Sequence, residues 1–131
     1  AARNGLSQVV DCVAANVFDL LPQLQKGQYD FIILDPPAFT KSRQTTQRAM
    51  AGYKEINYRA MRLLPRGGYL ATCSCSHFAT EELFRKMLHA AAHDAGVQLR
   101  QIEARQQSAD HPILWGVEET SYLKFYLFQV V

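Results

Sequence analysis

Residues 29–39 read YDFIILDPPAF, and this stretch decides the fold class. The run Phe31–Leu34 is apolar without a break, and it is followed by Asp35 and two prolines. A short continuous apolar run bounded by turn residues is typical of a strand buried on both faces of a parallel sheet. The sequence therefore predicts a strand over Tyr29–Asp35 inside an α/β domain.

The segments on either side of this strand alternate between strand and helix patterns. Short apolar or alternating runs predict strands over Val9–Ala14, Tyr69–Cys73, Val97–Arg105 and Tyr122–Val131. Apolar residues at helical spacing predict helices over Val17–Leu24, Arg48–Leu64 and Glu81–Ala95, the last with Thr80 as N-cap and Gly96 at its end. The order β-α-β-α-β-α-β-β predicts an open, mostly parallel sheet with helices on both faces and an antiparallel last strand.

Length, composition and cysteine usage set the class of protein. At 131 residues and 14.8 kDa the chain fits one domain or part of one. Its 48% apolar and 20% charged residues exclude a disordered chain or a fibre. Its longest apolar run is far shorter than the roughly 20 residues that span a bilayer, and no secretory signal opens the sequence. Three cysteines form no disulfide framework and suit a reducing compartment, so we expect a soluble, cytoplasmic protein that makes no membrane contact.

Positive charge is concentrated in one part of the chain. The formal net charge is only +2, but half of the 14 Lys and Arg residues lie between Lys41 and Arg66, where the single acid is Glu55. A polyanion such as RNA could bind this stretch. The alternative, which charge alone favours, is a solvated helix face.

Two segments with side chains suited to catalysis or binding follow neighbouring predicted strands. The first is the turn Asp35–Phe39, whose two prolines stiffen the backbone and leave carbonyl oxygens as acceptors. A rigid turn with a carboxylate and an aromatic ring suits a nucleobase, which Phe39 could stack on and Asp35 could hydrogen-bond. The alternative is a strand-ending turn in which Asp35 only caps backbone amides. Ligands of such sheets bind beyond the carboxyl ends of the strands, where this turn lies.

The second segment is Cys73–Ser76, which reads CSCS. We expect Cys73 to pack as a buried thiol and Cys75 to be presented at the sheet edge, where neighbouring cations or helix N-termini could activate it as a nucleophile. The alternative is a pair of buried, inert cysteines. A metal site is disfavoured, because no Cys or His cluster has the usual ligand spacing.

The arrangement YDFIILDPPAFTKSR, then GYKEINYRAMRLLPRGGYLATCSCSHF, then ADHPILWGVEETSYLKFYLF resembles the catalytic domain of the RlmI-type methyltransferases. The resemblance covers nearly the whole chain, and the combination of DPP, the helix 53–57 and SCS is its most specific part. It implies a Rossmann-like class I methyltransferase fold, S-adenosylmethionine (SAM) as cofactor, and transfer of a methyl group to carbon 5 of cytosine in large-subunit ribosomal RNA.

The resemblance also implies roles for individual residues. Cys75 corresponds to the nucleophile and Asp35 to the carboxylate beside the target base. The cofactor side would comprise Asn16, Val17, Phe18, Asp35 and Pro36, and the RNA side Pro37, Phe39, Lys41 and Arg43. The base that removes the carbon-5 proton stays open among Asp110, His111 and His77, and no metal is implied.

Two departures from the family's pattern affect these expectations. Asn16 stands where the family has an acidic residue that accepts a hydrogen bond from adenine, although its amide oxygen can still accept one. A glycine-rich SAM-binding turn is absent, so residues 1–131 are expected to be the C-terminal part of the catalytic domain, inactive alone and able to self-associate along Val9–Ala14. The rival interpretations are a guanine-N7 or amino-group RNA methyltransferase that uses the DPPAF turn, and a non-catalytic RNA-binding fragment.

Overall fold

The computed structural model describes residues 1–39 and 43–131, and of Arg43 the backbone alone. Its helices are α1 (Val17–Leu20), α2 (Thr46–Leu63) and α3 (Glu81–Ala95), and its strands are β1 (Phe31–Leu34), β2 (Tyr69–Ser74), β3 (Leu99–Arg105) and β4 (Lys124–Val130). Single 3₁₀ turns cover Ala2–Asn4, Leu21–Gln23, Arg43–Thr45 and Glu118–Thr120. Within the described ranges, no helix is long and apolar enough to cross a membrane.

The four strands form one sheet in the order β1-β2-β4-β3. β1 pairs with β2 in parallel, and β4 lies antiparallel between β2 and β3. Three strands therefore run in one direction and the last strand runs against them. The predicted α/β architecture, with a mostly parallel sheet and an antiparallel last strand, is confirmed.

Local sequence signals account for the ends of the helices. The Thr80 hydroxyl accepts a hydrogen bond from the Leu83 N–H at 3.3 Å, and Gly96 ends α3 in the left-handed conformation with φ 67°. The predicted helix 17–24 is one α-helical turn followed by a 3₁₀ turn that contains Pro22. A proline lacks the N–H that would continue the α-helical hydrogen bonds.

The two long helices cover the same face of the sheet, which corrects the expectation of helices on both faces. Buried residues of α2, α3, β2 and β4 form one core, which includes Tyr53, Phe84, Leu70 and Tyr126. The connections β1-α2-β2 and β2-α3-β3 both step in the same direction across the sheet, so right-handed crossovers place both helices on one side.

The opposite face of the sheet is open in the described part of the chain. Phe31 is 47% exposed and Ile33 67% exposed, so the prediction that β1 is buried on both faces is wrong. The Phe31 ring stacks on that of Tyr69 on the same open face, with centroids 6.0 Å apart. Only alternate residues of β1, such as Leu34, reach the core.

The predicted strand Val9–Ala14 is also wrong. This segment has turns and irregular backbone, and its valines are exposed, Val9 at 75% and Val13 at 70%. A strand needs a neighbour for its backbone hydrogen bonds, and no described strand pairs with this segment. Self-association was expected along this segment, and in the described part of the chain the edge strands of the sheet are β1 and β3 instead.

Candidate active site

The turn Asp35–Phe39 and the segment Cys73–Ser76 meet at one edge of the sheet, as the sequence predicts. The parallel register places Leu34 of β1 beside Thr72 of β2, so the chain leaves β1 at Asp35 level with Cys73. Both Asp35 and Cys75 interact electrostatically with Cys73, which shows that the DPP turn and the CSCS segment lie next to each other.

Buried and half-buried side chains alternate along the CSCS segment. Ser74 and Ser76 face the core at 0% and 2% exposure, while Cys73 and Cys75 are both half-buried. Burial, followed by the charges of Asp35 and Cys75, raises the pKa of Cys73 to about 11. The sequence predicts a buried Cys73 and a more exposed Cys75, but the two side chains are similarly exposed. The raised pKa nevertheless keeps Cys73 in its unreactive thiol form at neutral pH.

A first prediction concerns the reactivity of Cys73. Because its folded-state pKa is raised, the thiol stays protonated below pH 9 and ionises only as the pH approaches about 11. We expect iodoacetamide at pH 8 to leave Cys73 unmodified in the folded chain while it labels the exposed Cys12. Mass spectrometry of the labelled peptides measures both rates. Equal labelling of Cys73 and Cys12 at pH 8 would contradict the prediction.

Tyr53 of α2 connects the two segments, a role that sequence analysis missed. Its side chain is fully buried, the Ser74 hydroxyl donates to its hydroxyl at 3.1 Å, and the backbone of Phe39 hydrogen-bonds to the same oxygen. The Phe39 ring lies 4.6 Å from the Tyr53 ring. Burial raises the pKa of Tyr53, so the phenol stays neutral. The only sequence signal was a tyrosine on the apolar stripe of a helix, where its hydroxyl needs a partner.

A second prediction tests this connection. Tyr53→Phe removes the hydroxyl from a buried site, and we expect the free energy of unfolding to fall by about 1 kcal/mol. Tyr29→Phe is the matched control, because Tyr29 is 47% exposed and its loss should change stability by less than about 0.5 kcal/mol. Urea unfolding of both variants measures the difference. Equal stabilities would exclude a structural role for the buried hydroxyl.

The residues assigned to the cofactor lie beside the DPPAF turn. The Phe18 ring lies 6.1 Å from the Phe39 ring, and Val17 and Phe18 are 38% and 40% exposed. Asn16 Oδ1 accepts from the Phe18 N–H at 3.1 Å, and its Nδ2 donates to Asp19 at 2.8 Å. The exposed apolar side chains at this edge fit one face of an adenine ring, and Asn16 Oδ1 keeps a second lone pair for a donor.

Ion pairs neutralise two of the seven basic residues between residues 41 and 66. Lys54 pairs with Asp94 of α3 at 2.6 Å, and Arg59 pairs with Glu55 at 2.7 Å. Arg62 donates to the Tyr58 hydroxyl at 3.1 Å. These contacts favour the solvated helix face for the middle of α2. Lys41 and the side chain of Arg43, which were assigned to the RNA side, lie outside the described residues.

The three candidate bases occupy two different surroundings. The Ser108 hydroxyl donates to the Asp110 carboxylate, which lies 3.2 Å from His111, and these contacts lower the pKa of Asp110 in an exposed loop. His77 instead follows the CSCS segment directly and lines a cleft of about 340 Å³, together with Glu81 and Lys124. Among the residues that the structure describes, no group of His, Cys, Asp and Glu side chains could hold a metal ion.

Solved structures place this architecture among the SAM-dependent methyltransferases. A Streptococcus mutans protein assigned as a SAM-dependent methyltransferase superimposes over 90% of this chain and 30% of its own, with a TM-score of 0.71 and 22% identity. Another protein assigned as a methyltransferase, solved with SAH, matches over 90% of this chain and 31% of its own, with a TM-score of 0.73 and 21% identity. The chain therefore has the Rossmann-like methyltransferase fold that its sequence implies.

Curated relatives define the resemblance more narrowly. Ribosomal RNA large subunit methyltransferase I of Cronobacter sakazakii is 41% identical over 121 residues, which is 91% of this chain and 31% of the relative. The enzyme of the same name from Klebsiella pneumoniae is 40% identical over 131 residues, 98% of this chain and 33% of the relative. The predicted resemblance to the RlmI-type enzymes is confirmed, and the chain spans about a third of their length. No protein-family model matches the chain.

Proposed function

We propose that this chain is the C-terminal part of the catalytic domain of a SAM-dependent enzyme that methylates carbon 5 of a cytosine in large-subunit ribosomal RNA. The observation that carries the proposal is the meeting of the Asp35 turn and the Cys73–Ser76 segment at one edge of the sheet, after two neighbouring parallel strands. The names of the curated relatives support ribosomal RNA as substrate. Such an enzyme acts in the cytoplasm, which agrees with the use of free cysteines.

Cys75 supplies the nucleophile in this proposal. Carbon 5 of cytosine is a poor nucleophile, so the Cys75 thiolate adds to carbon 6 and the ring electrons move towards N3. Carbon 5 of the resulting enamine then forms the new bond to the methyl group, which would leave the sulfur of SAM as the sulfur–methyl bond breaks. Loss of the carbon-5 proton to a base restores the double bond between carbons 5 and 6 and releases the thiolate.

Asp35 acts on the base while the adduct forms. Negative charge develops at N3, and the carboxylic acid form of Asp35 donates a hydrogen bond that stabilises it, because an ionised carboxylate could only accept. Pro36 and Pro37 stiffen the turn that carries this side chain. His77 is the candidate base that follows Cys75 by two residues, and we propose it ahead of Asp110 and His111 for that reason.

The cofactor supplies the methyl group as a sulfonium, and the chain contributes to one end of its site. Val17 and Phe18 would cover the adenine ring, and Asn16 Oδ1 would accept a hydrogen bond from the adenine amino group. One of the similar structures described above was solved with SAH. Another, a Thermus thermophilus protein assigned as a DNA modification methylase, was solved with SAM. It matches 89% of this chain and 51% of its own, with a TM-score of 0.58 and 10% identity. These likenesses support SAM as the cofactor of the proposed reaction.

The rivals explain less of the site. A guanine-N7 or amino-group methyltransferase needs no cysteine adduct, so it leaves Cys75 without a role beside Asp35. A non-catalytic RNA-binding fragment would use the basic stretch, but Lys54 and Arg59 are already paired with acids. Neither interpretation accounts for both segments at the sheet edge.

Covalent trapping tests the proposal in the complete enzyme. Ribosomal RNA that carries 5-fluorocytosine at the target cannot lose a proton from carbon 5, so methylation should leave the enzyme covalently attached to the RNA. We expect peptide mapping to place the attachment on Cys75. Efficient methyl transfer to RNA with no adduct, and with the methyl group on a nitrogen, would favour the amino-group rival.

A further inference from the structure

Ser74 carries a buried hydroxyl at the end of β2, directly before Cys75. β2 ends at Ser74, so Cys75 lies beyond the regular hydrogen bonds of the strand. The Ser76 N–H donates to Ser74 Oγ at 3.4 Å. A serine hydroxyl that accepts from the N–H two residues later closes a local turn. Cys75 is therefore the central residue of a turn that the Ser74 side chain closes.

The same hydroxyl joins this turn to α2 and to the DPPAF turn. Ser74 Oγ donates to the Tyr53 hydroxyl oxygen at 3.1 Å, and the backbone of Phe39 hydrogen-bonds to that oxygen. Ser74 and Tyr53 are both 0% exposed. Because water does not reach these groups, the loss of either hydroxyl leaves its partners unsatisfied instead of solvated. One buried network therefore links the residues on either side of Cys75 to the ring that is proposed to stack on the base.

Other contacts hold the two ends of this network separately. The Phe39 ring packs against the Tyr53 ring with centroids 4.6 Å apart. The Ser76 carbonyl oxygen accepts from Lys124 Nζ at 2.6 Å. The hydrogen bond between Ser74 and Tyr53 joins these two anchored ends, so it relates the base-binding turn to the segment that carries the thiol.

We propose that Ser74 and Tyr53 are positioning residues, which set the place of the Cys75 sulfur relative to the base-binding turn at Phe39. The inference rests on the proposed function, in which that sulfur attacks carbon 6 of the cytosine. A misplacement of about 1 Å between reacting groups can cost on the order of a hundredfold in rate. Neither hydroxyl contacts the base or the cofactor in this proposal, so their loss should act on kcat far more than on KM.

The test compares Ser74→Ala, Tyr53→Phe and the double variant in the complete enzyme. Thr72→Val is the matched control, because Thr72 is also buried on β2 and its hydroxyl has no hydrogen-bond partner within the described ranges. Methylation of ribosomal RNA gives kcat and KM, and RNA with 5-fluorocytosine at the target gives the rate of adduct formation. Circular dichroism at the assay temperature verifies that each variant is folded.

Each single variant should lower kcat and the rate of adduct formation by roughly 10- to 100-fold, with KM changed by less than about threefold. The double variant should be no more than about threefold slower than the slower single variant, because both hydroxyls act through one hydrogen bond. Thr72→Val should keep the wild-type rates. A wild-type kcat in either single variant, a comparable loss in Thr72→Val, or losses that multiply in the double variant would overturn the proposal. If one single variant does not fold, the other decides by the same criteria.

Failure of this proposal is distinguishable from failure of the proposed function. A wild-type enzyme that forms no adduct and methylates a nitrogen would refute the cytosine mechanism, whatever the variants do. An adduct on Cys75 that forms at the wild-type rate in both single variants would refute the positioning role alone.

Discussion

Replacing Cys75 by alanine in the complete enzyme should reduce methyl transfer to ribosomal RNA by at least roughly 10⁴-fold, because no other group can form the bond to carbon 6. SAM affinity should stay nearly unchanged, since the thiol acts on the base and not on the cofactor. Methyl transfer with radiolabelled SAM and calorimetric titration of SAM measure the two quantities separately.

Cys73→Ala is the matched control for Cys75→Ala. Both thiols are half-buried, but the pKa of Cys73 is raised to about 11, so it is a poor nucleophile at neutral pH. We expect this variant to lose about 1 kcal/mol of stability from packing and to keep most of its activity. Full activity in Cys75→Ala, or an adduct that maps to Cys73, would refute the assignment of the nucleophile.

The second large effect is expected for Asp35→Ala. Removing a group that stabilises charge developing at N3 should lower kcat by roughly 10²–10³-fold. The side chain of Asp35 is exposed after β1, so the free energy of unfolding should change by less than about 0.5 kcal/mol. Single-turnover methylation and urea unfolding measure the two effects.

Asp30→Ala provides the control for Asp35→Ala at the opposite end of β1. Asp30 is also exposed, and its contact with β2 is through its backbone carbonyl, which accepts from the Tyr69 N–H at 2.8 Å. Activity should therefore be retained in this variant. A comparable loss of kcat in both variants would show that Asp35 contributes only to the end of the strand.

The position of the candidate site could be predicted from the sequence, but two residues that shape it could not. Asp35 and Cys75 each follow an apolar run, and the ends of neighbouring parallel strands necessarily share an edge. Tyr53 and Lys124 are polar residues within apolar patterns, and their partners belong to other elements. Local periodicity shows that such a residue is buried, but it does not show which distant oxygen or amide satisfies it.

The sequence by itself determined the bounds of most elements and the direction of the strands. Caps, prolines and apolar spacing act within a few residues, so the Thr80 cap, the Gly96 end and the strand before Asp35 follow from local chemistry. Tertiary structure alone decided that both long helices share one face, that Ile33 is exposed and that Val9–Ala14 forms no strand. A strand and a covered sheet face exist only where another segment supplies hydrogen bonds and apolar surface, and no local pattern contains that partner.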